Sequence, residues 1–182
     1  LQVARSLGAQ VEVDGSDVTI TGIAASFDCI QTLTGMDGKP FEDYEGNPIL
    51  DVGESGLLAR LMIPIMAQLC PIDTGFAAKG TLLYRHLTGA KEIMEAFGAS
   101  ITYSCIPLCV HGPLKPGRVE ISGKHGSQII SGLLMALPFA DRNTSLIVKE
   151  PKSIPYIFIT LEVLKKFGIK IGNEMLGGRD FL

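Results

Sequence analysis

The chain has 182 residues, of which 46% are hydrophobic and 19% charged, and its formal net charge at pH 7 is −3. This composition supports a sizeable core and excludes a disordered chain, while the charge and the lack of a lysine- and arginine-rich run exclude a nucleic-acid surface. Charged, polar or proline residues interrupt every apolar stretch before about 18 residues, which excludes a membrane span, and no secretory signal pattern is present. We therefore expect a cytoplasmic protein.

The first elements in chain order are a short helix and two strands. The letters ARSLG are typical of a helix, and alternating apolar and polar residues predict strands at Val11–Val13 and Val18–Thr21. Such alternation is typical of a sheet with one face in solvent. The polar, glycine-rich segment Thr34–Leu50 is predicted to be an inserted loop or hairpin.

Two later helices have almost no polar face. They are predicted at Leu57–Leu69 and Ile129–Leu137, and helices of this kind are buried in folded proteins. A third helix is predicted at Pro155–Phe167 after Ser153 as its N-cap, and a strand at Val119–Ile121 alternates like the first two. The apolar residues at helical spacing in the third helix are Ile157, Phe158, Leu161, Leu164 and Phe167. We therefore predict an α/β (α+β) fold turned inside out, with buried helices and sheets outside.

The chain also repeats itself loosely, and the surplus of its longer first interval falls in Thr34–Leu50. A glycine turn that ends a helix and leads into a strand recurs at Gly8, Gly98 and Gly168, and a GxxG turn that leads into an apolar helix starts at Gly53 and Gly123. Gly98 and Gly168 are 70 residues apart, and so are Gly53 and Gly123. This spacing predicts repeated βαβαββ-like units, which are longer than the roughly 20–50-residue periods of most solenoids.

The cysteines and histidines do not form a recognisable metal-binding motif. The cysteines are Cys29, Cys70, Cys105 and Cys109, in apolar or strand-like contexts without CxxC spacing, and the histidines are His86, His111 and His125, without an HExxH pattern. We therefore expect reduced core thiols, no metal site and no cofactor, since Cys105 and Cys109 would need further partners to bind a metal.

Three predicted helix starts could bind an anion, because such starts expose unpaired backbone N–H groups and a partial positive charge. They are Gly53–Gly56 with Arg60 one turn later, Gly126–Gln128, and Lys152–Tyr156; Arg85, after the strand-like AKGTLLY, is a further cation. Each has a simpler interpretation as a plain turn, a capping serine, a surface arginine beside an acidic residue, or a core tyrosine. Recurrence at the same place in different repeats favours a ligand site.

These segments resemble the enolpyruvyl transferases, and among them the 5-enolpyruvylshikimate-3-phosphate synthase family. The resemblance is carried by GSQIISGLLMALPFA, PKSIPYIFITLEVLKKFGI and GESGLLARLMIPIMA, and it extends over nearly the whole chain. It implies two domains of three βαβαββ units each, of which residues 1–182 would be a single N-terminal domain with an incomplete first unit and without the second domain. It also implies enolpyruvyl transfer from phosphoenolpyruvate to shikimate 3-phosphate, with release of phosphate, in aromatic amino-acid biosynthesis.

The resemblance assigns roles to eight residues. The residues implied to contact shikimate 3-phosphate are Gly126, Ser127, Gln128, Ser153 and Tyr156, and those implied to contact phosphoenolpyruvate are Gly56, Arg60 and Arg85. The catalytic acid and base would be a lysine near the N-terminus and acidic residues of the second domain, so the chain alone is expected to be inactive and to need that domain as its partner.

Three positions depart from the family pattern. Gly126 replaces a serine, Glu54 an asparagine and Leu57 a threonine. A carboxylate that faced phosphoenolpyruvate would weaken binding unless it were protonated, paired with Arg60 or turned away.

Two other functions stay open from the sequence. The related UDP-N-acetylglucosamine enolpyruvyl transferases share the fold and carry a reactive cysteine in a glycine-rich loop, for which Cys70 is the nearest candidate. A non-catalytic, anion-binding half-domain that pairs with another chain would also fit the sequence.

Overall fold

The computed structural model describes residues 1–23, 33, 41–43, 46–70, 72–176 and 180–181, so Cys29 and residues 34–40 and 44–45 of the predicted insertion lie outside the described residues. The described helices are α1 (Gln2–Ser6), α2 (Gly56–Leu69), α3 (Ala90–Ala96), α4 (Gln128–Ala136) and α5 (Ile154–Lys166). The described strands are β1 (Gln10–Asp14), β2 (Asp17–Thr21), β3 (Ile49–Asp51), β4 (Thr74–Ala77), β5 (Ser100–Ile101), β6 (Leu108–His111), β7 (Arg118–Ser122), β8 (Ser145–Lys149), β9 (Met175–Leu176) and β10 (Asp180–Phe181). Short 3₁₀ turns span Gly80–Tyr84 and Leu137–Phe139.

Two consecutive units have the same order of elements. They are β3-α2-β4-α3-β5-β6 and β7-α4-β8-α5-β9-β10, and they form four-stranded sheets with the equivalent strand orders β3-β4-β6-β5 and β7-β8-β10-β9. In each sheet the first two strands are parallel and are joined through a helix, α2 or α4, whereas the other pairs are antiparallel. The predicted βαβαββ repeat is therefore confirmed. The segment α1-β1-β2 consists of a helix and two strands, which is also the order at the end of each unit, in α3-β5-β6 and α5-β9-β10.

The helices α2, α4 and α5 pack together, as the apolar sequence of α2 and α4 predicted. Seven of the nine residues of α4 are buried, and α2 lies directly against it. The two helices approach so closely at Gly132 that a methyl group there would lie 2.5 Å from the carbonyl oxygen of Leu61. On the other side of α4, the hydroxyls of Ser131 and Thr160 are hydrogen-bonded at 2.8 Å and connect α4 to α5.

Helix α5 buries a narrower stripe than its apolar spacing predicts. Ile157, Leu161 and Leu164 are buried, whereas Phe158 and Phe167 are exposed. The three buried residues follow the i, i+4, i+7 spacing of one helix face, and Phe158 lies one position off that face. Its ring instead contacts Phe181 edge-on, with 5.7 Å between the ring centroids.

Three further expectations from local pattern are wrong. The β1–β2 hairpin does not bury one face: its register puts Val13, Val18 and Ile20 on the same side, but no described element covers them and all three are exposed. The predicted insertion ends before Ile49, because Ile49–Asp51 pairs with β4 as strand β3. The strand-like AKGTLLY is a 3₁₀ turn, because Gly80 has a positive φ of 57° that takes the chain out of the extended conformation.

None of the described helices combines the length and the apolarity that crossing a membrane requires.

Candidate functional site

The start of α2 and the segment after β4 lie side by side. Because β3 and β4 are parallel neighbours, the chain leaves both strands at the same edge of the sheet. The backbone N–H of Lys79 donates to the carbonyl oxygen of Gly53 at 2.8 Å, which fixes the two segments to each other. Ser55 caps α2 through its side-chain oxygen, which accepts from the N–H of Leu58 at 3.1 Å. The cap leaves the other N–H groups of the first turn available at this edge.

Two arginines converge on the first turn of α2. Nη1 of Arg60 donates to the carbonyl oxygen of Gly56 at 3.0 Å, and Nη2 donates to that of His86 at 3.1 Å. A methyl group on Gly56 would lie 3.1 Å from Nη1 of Arg60 and 4.0 Å from Nη1 of Arg85. The structure therefore brings Gly56, Arg60 and Arg85 together, as the resemblance implied, although they lie far apart in the sequence.

The electrostatics of this pair favour an anion. Burial first, and then the positive charge of Arg85, lowers the pKa of Arg60 below its ordinary value. Within the described part of the chain, neither guanidinium forms an ion pair, so neither arginine is neutralised by an acidic neighbour, although Arg85 is exposed. Two cations held close together without a carboxylate between them attract a carboxylate or a phosphate.

Glu54 forms no ion pair with either arginine in the described part of the chain. A methyl group on Gly80 would lie 2.5 Å from Oε2 of Glu54, so the carboxylate lies over the 3₁₀ turn that follows β4. Among the described residues no ion pair connects it to Arg60. Of the three ways in which an anion could be tolerated next to Glu54, pairing with Arg60 is therefore not the one that the described residues use. Leu57, the other departure in this helix, is exposed.

The start of α4 presents a serine that does not cap the helix. Gly126 has a φ of 114°, Ser127 occupies the N-cap position, and Gln128 is the first helical residue. The side chain of Ser127 makes no capping hydrogen bond although the residue is only 4% exposed, whereas Gln128 is exposed. The interpretation of Ser127 as an ordinary capping serine is therefore wrong, and its hydroxyl is directed to neither of the N–H groups that a cap would bind.

The start of α5 repeats this arrangement next to α4. Ser153 is at the N-cap position in the left-handed conformation, with a φ of 57°, and its side chain makes no capping hydrogen bond either. Tyr156 is 64% exposed, so it is not a core tyrosine. The N–H of Lys152 donates to the carbonyl oxygen of Gly123 at 3.3 Å, which connects the loop before α5 to the loop before α4.

One connection links the two groups of residues. Arg60 binds the carbonyl oxygen of His86, and three residues later a methyl group on Gly89 would lie 2.7 Å from Cδ2 of His125. His125 belongs to the turn that leads into α4. The starts of α2, α4 and α5 therefore lie on the same side of the molecule. Two sets of contacts remain separate on that side. We call them the arginine group (Gly56, Arg60 and Arg85) and the serine group (Gly126, Ser127, Gln128, Ser153 and Tyr156).

The cavities of the described part do not coincide with these residues. The larger one, of about 520 Å³, lies at the other end of α4 and is lined by residues that include Leu134, Leu137 and Phe181. A smaller one, of about 250 Å³, lies beside His125, between α3 and β7. The predicted site residues line neither of these two cavities.

A model of the EPSP synthase family (3-phosphoshikimate 1-carboxyvinyltransferase) matches residues 3–177. The chain belongs to this family. Over 177 residues it is 32% identical to the 3-phosphoshikimate 1-carboxyvinyltransferase of Methanocella arvoryzae, with 94% of this chain and 38% of the relative covered. Over 173 residues it is 36% identical to the enzyme of the same name from Clostridium novyi, with 93% and 38% covered.

A solved structure agrees with the fold. The EPSP synthase of Acinetobacter baumannii superposes with a TM-score of 0.69 at 24% identity, covering 100% of this chain and 37% of that one. This similarity confirms the enolpyruvyl-transferase type of α/β fold with its mixed sheets and helices. The chain spans about 38% of the length of the curated relatives.

Proposed function

We propose that this chain forms part of the substrate site of an EPSP synthase, which transfers the enolpyruvyl group of phosphoenolpyruvate to the 5-hydroxyl of shikimate 3-phosphate. In this reaction the hydroxyl adds to phosphoenolpyruvate, and elimination of phosphate then yields the product. The observation that carries the proposal is the pair Arg60 and Arg85, which lie together beside Gly56 without a carboxylate partner among the described residues. Membership of the family supports the identity of the substrates.

The arginine group is assigned to phosphoenolpyruvate. Arg85 is exposed and can turn its planar guanidinium so that two parallel N–H groups bind the carboxylate. Arg60 is fixed by two carbonyl oxygens, and it supplies a fixed positive charge beside Arg85 and Gly56. An anion between the two arginines removes their mutual repulsion, and each charge-assisted hydrogen bond contributes about 1.5–3 kcal/mol.

The serine group is assigned to shikimate 3-phosphate. The hydroxyls of Ser127 and Ser153 make no capping bond, and the amide of Gln128 reaches solvent at the same helix start. Together with backbone N–H groups near Gly126, these donors suit a phosphate at a helix N-terminus. The exposed ring of Tyr156 offers an apolar face to the shikimate ring.

We assign substrate binding, and no proton transfer, to the described residues. The chain spans a minority of its relatives' length, and we propose that it corresponds to one domain and that a second domain closes the cleft and supplies the acidic groups of the reaction. The chain on its own is accordingly expected to bind shikimate 3-phosphate without turning it over.

The experiment is a calorimetric titration of the chain with shikimate 3-phosphate, shikimate, inorganic phosphate and UDP-N-acetylglucosamine. We expect shikimate 3-phosphate to bind more tightly than the other three. Shikimate lacks the phosphate, inorganic phosphate lacks the ring, and in UDP-N-acetylglucosamine the diphosphate lies between two groups instead of being a terminal phosphate beside a single ring. Equal binding of all four, or none of the first, would contradict the assignment. Binding of phosphate as tight as that of shikimate 3-phosphate would instead favour a plain anion-binding half-domain.

A matched pair of variants locates the binding site. Gln128→Ala is expected to weaken the binding of shikimate 3-phosphate about tenfold or more, because one hydrogen bond to a charged ligand is lost while alanine preserves the helix. Lys124→Ala, in the exposed turn before the same helix, is the control and is expected to change the affinity little. Equal losses in both variants would refute the helix-start site.

The described residues give no support to the UDP-N-acetylglucosamine branch. Cys70, the nearest candidate for its reactive cysteine, is buried at the C-terminal end of α2, at the opposite end of that helix from Arg60.

A further inference from the structure

Three metal-binding side chains meet on the outer face of the sheet β3-β4-β6-β5. Asp73 directly precedes β4, and Cys109 and His111 belong to β6. One ligand atom of each residue lies within 4.8 Å of those of the other two. Nδ1 of His111 is 2.7 Å from Oδ2 of Asp73. Neither the substrates nor the arginine group involves these residues.

The strand register explains why they meet. Thr74 of β4 pairs with Val110 of β6, and both are buried, so the residues on either side of them point outward. Asp73 therefore lies opposite His111 on the outer face. Cys109 lies opposite Gly75, on the same face as Asp73 and His111.

The backbone at the cysteine is also fixed. The hydroxyl oxygen of Thr102 accepts the backbone N–H of Cys109 at 2.8 Å, and the N–H of Thr102 donates to the carbonyl oxygen of Cys109 at 3.0 Å. Cys109 is not part of a disulfide. These bonds position the thiol on the outer face whether or not an ion is bound.

We propose that Asp73, Cys109 and His111 form a three-ligand site for zinc or a similar thiophilic divalent cation, with solvent at the fourth position. Carboxylate oxygen, imidazole nitrogen and thiolate sulfur are the ligands that zinc takes in proteins. Metal–ligand bonds of about 2.0–2.3 Å at tetrahedral angles place ligand atoms about 3.3–3.6 Å apart. The Asp73–His111 contact opens by about 0.6 Å to reach that spacing.

The accessible surface allows an ion to enter and protons to leave. The side chain of Asp73 is 48% exposed and that of His111 is 38% exposed. Binding releases the thiol proton of Cys109, and any proton shared by Asp73 and His111, to solvent. The site is at the N-terminal end of β4, whereas the arginine group is beyond its C-terminal end. The ion therefore connects β4 to β6 and stabilises the sheet without touching the substrates.

The first test uses the chain freed of metal with a chelator, and zinc chloride or cobalt chloride as the only added probe. We expect one zinc ion per chain by calorimetry, and a near-ultraviolet sulfur-to-cobalt charge-transfer band with cobalt. Cys109→Ser is expected to abolish the band, and His111→Asn and Asp73→Asn are expected to weaken zinc about tenfold or more. Cys105→Ser, which removes a half-buried thiol outside the cluster, is the control and is expected to retain the band.

The second test measures thermal unfolding with and without zinc. The wild-type chain and Cys105→Ser are expected to melt at a higher temperature with zinc, because a ligand that binds only the folded state stabilises it. The melting temperature of Cys109→Ser is expected to stay the same when zinc is added. Absence of the cobalt band in wild-type chain would overturn the proposal. So would a band that survives Cys109→Ser or disappears in Cys105→Ser. If Cys109→Ser does not fold, unchanged zinc affinity in both Asp73→Asn and His111→Asn would overturn it equally.

Discussion

Replacing Gly132 by alanine tests how closely α2 and α4 must approach to align the site. A methyl group at this position would lie 2.5 Å from the carbonyl oxygen of Leu61 and 2.6 Å from Cγ of Pro64. Both belong to the middle of α2, and a backbone oxygen and a proline ring cannot rotate away as a flexible side chain can. The helices must therefore move apart.

The expected cost follows from these distances. Relief of the contact needs a shift of roughly 0.5–1 Å, and overpacking of this kind costs about 1–3 kcal/mol. Alanine is favoured over glycine inside a helix by about 0.5–1 kcal/mol, which offsets part of that cost. We expect Gly132→Ala to lower the free energy of unfolding by about 1–2 kcal/mol, or the melting temperature by about 2–8 °C in a chain of this size.

Denaturant unfolding measures the stability, and titration with shikimate 3-phosphate measures the consequence for the site. The start of α4 moves with the helix, so the affinity is expected to fall as well. Gly172→Ala is the control, because no heavy atom lies within 4 Å of its added methyl group and its φ is not positive. Unchanged or higher stability in Gly132→Ala would refute the close-approach argument.

Two further predictions concern the helix starts. Arg60→Gln is expected to weaken the binding of phosphoenolpyruvate about tenfold or more, because a fixed charge beside Arg85 is lost; the titration is done with shikimate 3-phosphate present. The control is Arg142→Gln, which replaces an exposed arginine that lines the larger cavity, and equal effects in both variants would count against the arginine site. Ser153→Gly is expected to raise the free energy of unfolding by about 1 kcal/mol, because φ is 57° there, while it weakens shikimate 3-phosphate. Ser145→Gly, in the extended strand β8, is expected to destabilise the chain instead, and a stability gain in both variants would contradict the argument from φ.

Several features of the fold could be predicted because they depend on neighbouring residues in the chain. The apolar run of α4 predicts a buried helix whatever it packs against, and seven of its nine residues are buried. The glycine turns 70 residues apart predict the repeated unit, since the same local pattern folds in the same way twice. The candidate helix starts at Ser127 and Ser153 were found in the same way.

The failures have a common cause. Alternation in Val11–Val13 fixes which side chains share a face, but only packing decides whether that face is covered, and in the described part it is not. The pattern of AKGTLLY is strand-like, but the positive φ of Gly80 takes the chain into a 3₁₀ turn. The cluster of Asp73, Cys109 and His111 was missed because nothing in the sequence specifies that β4 pairs with β6.

The sequence by itself determined the family, the βαβαββ repeat and the residues at each helix start, because motif, period and turn chemistry are local properties. Only the tertiary structure decided that Arg60 and Arg85 both lie next to Gly56 and that the Glu54 carboxylate lies over Gly80. The same holds for the serines at the starts of α4 and α5, whose side chains make no capping hydrogen bond. These depend on strand register and helix approach, which join residues distant in the chain. The physical reason is that helix, strand and turn patterns depend on neighbouring residues, whereas the surroundings of a charged or ligand-binding side chain depend on which segments the core brings together.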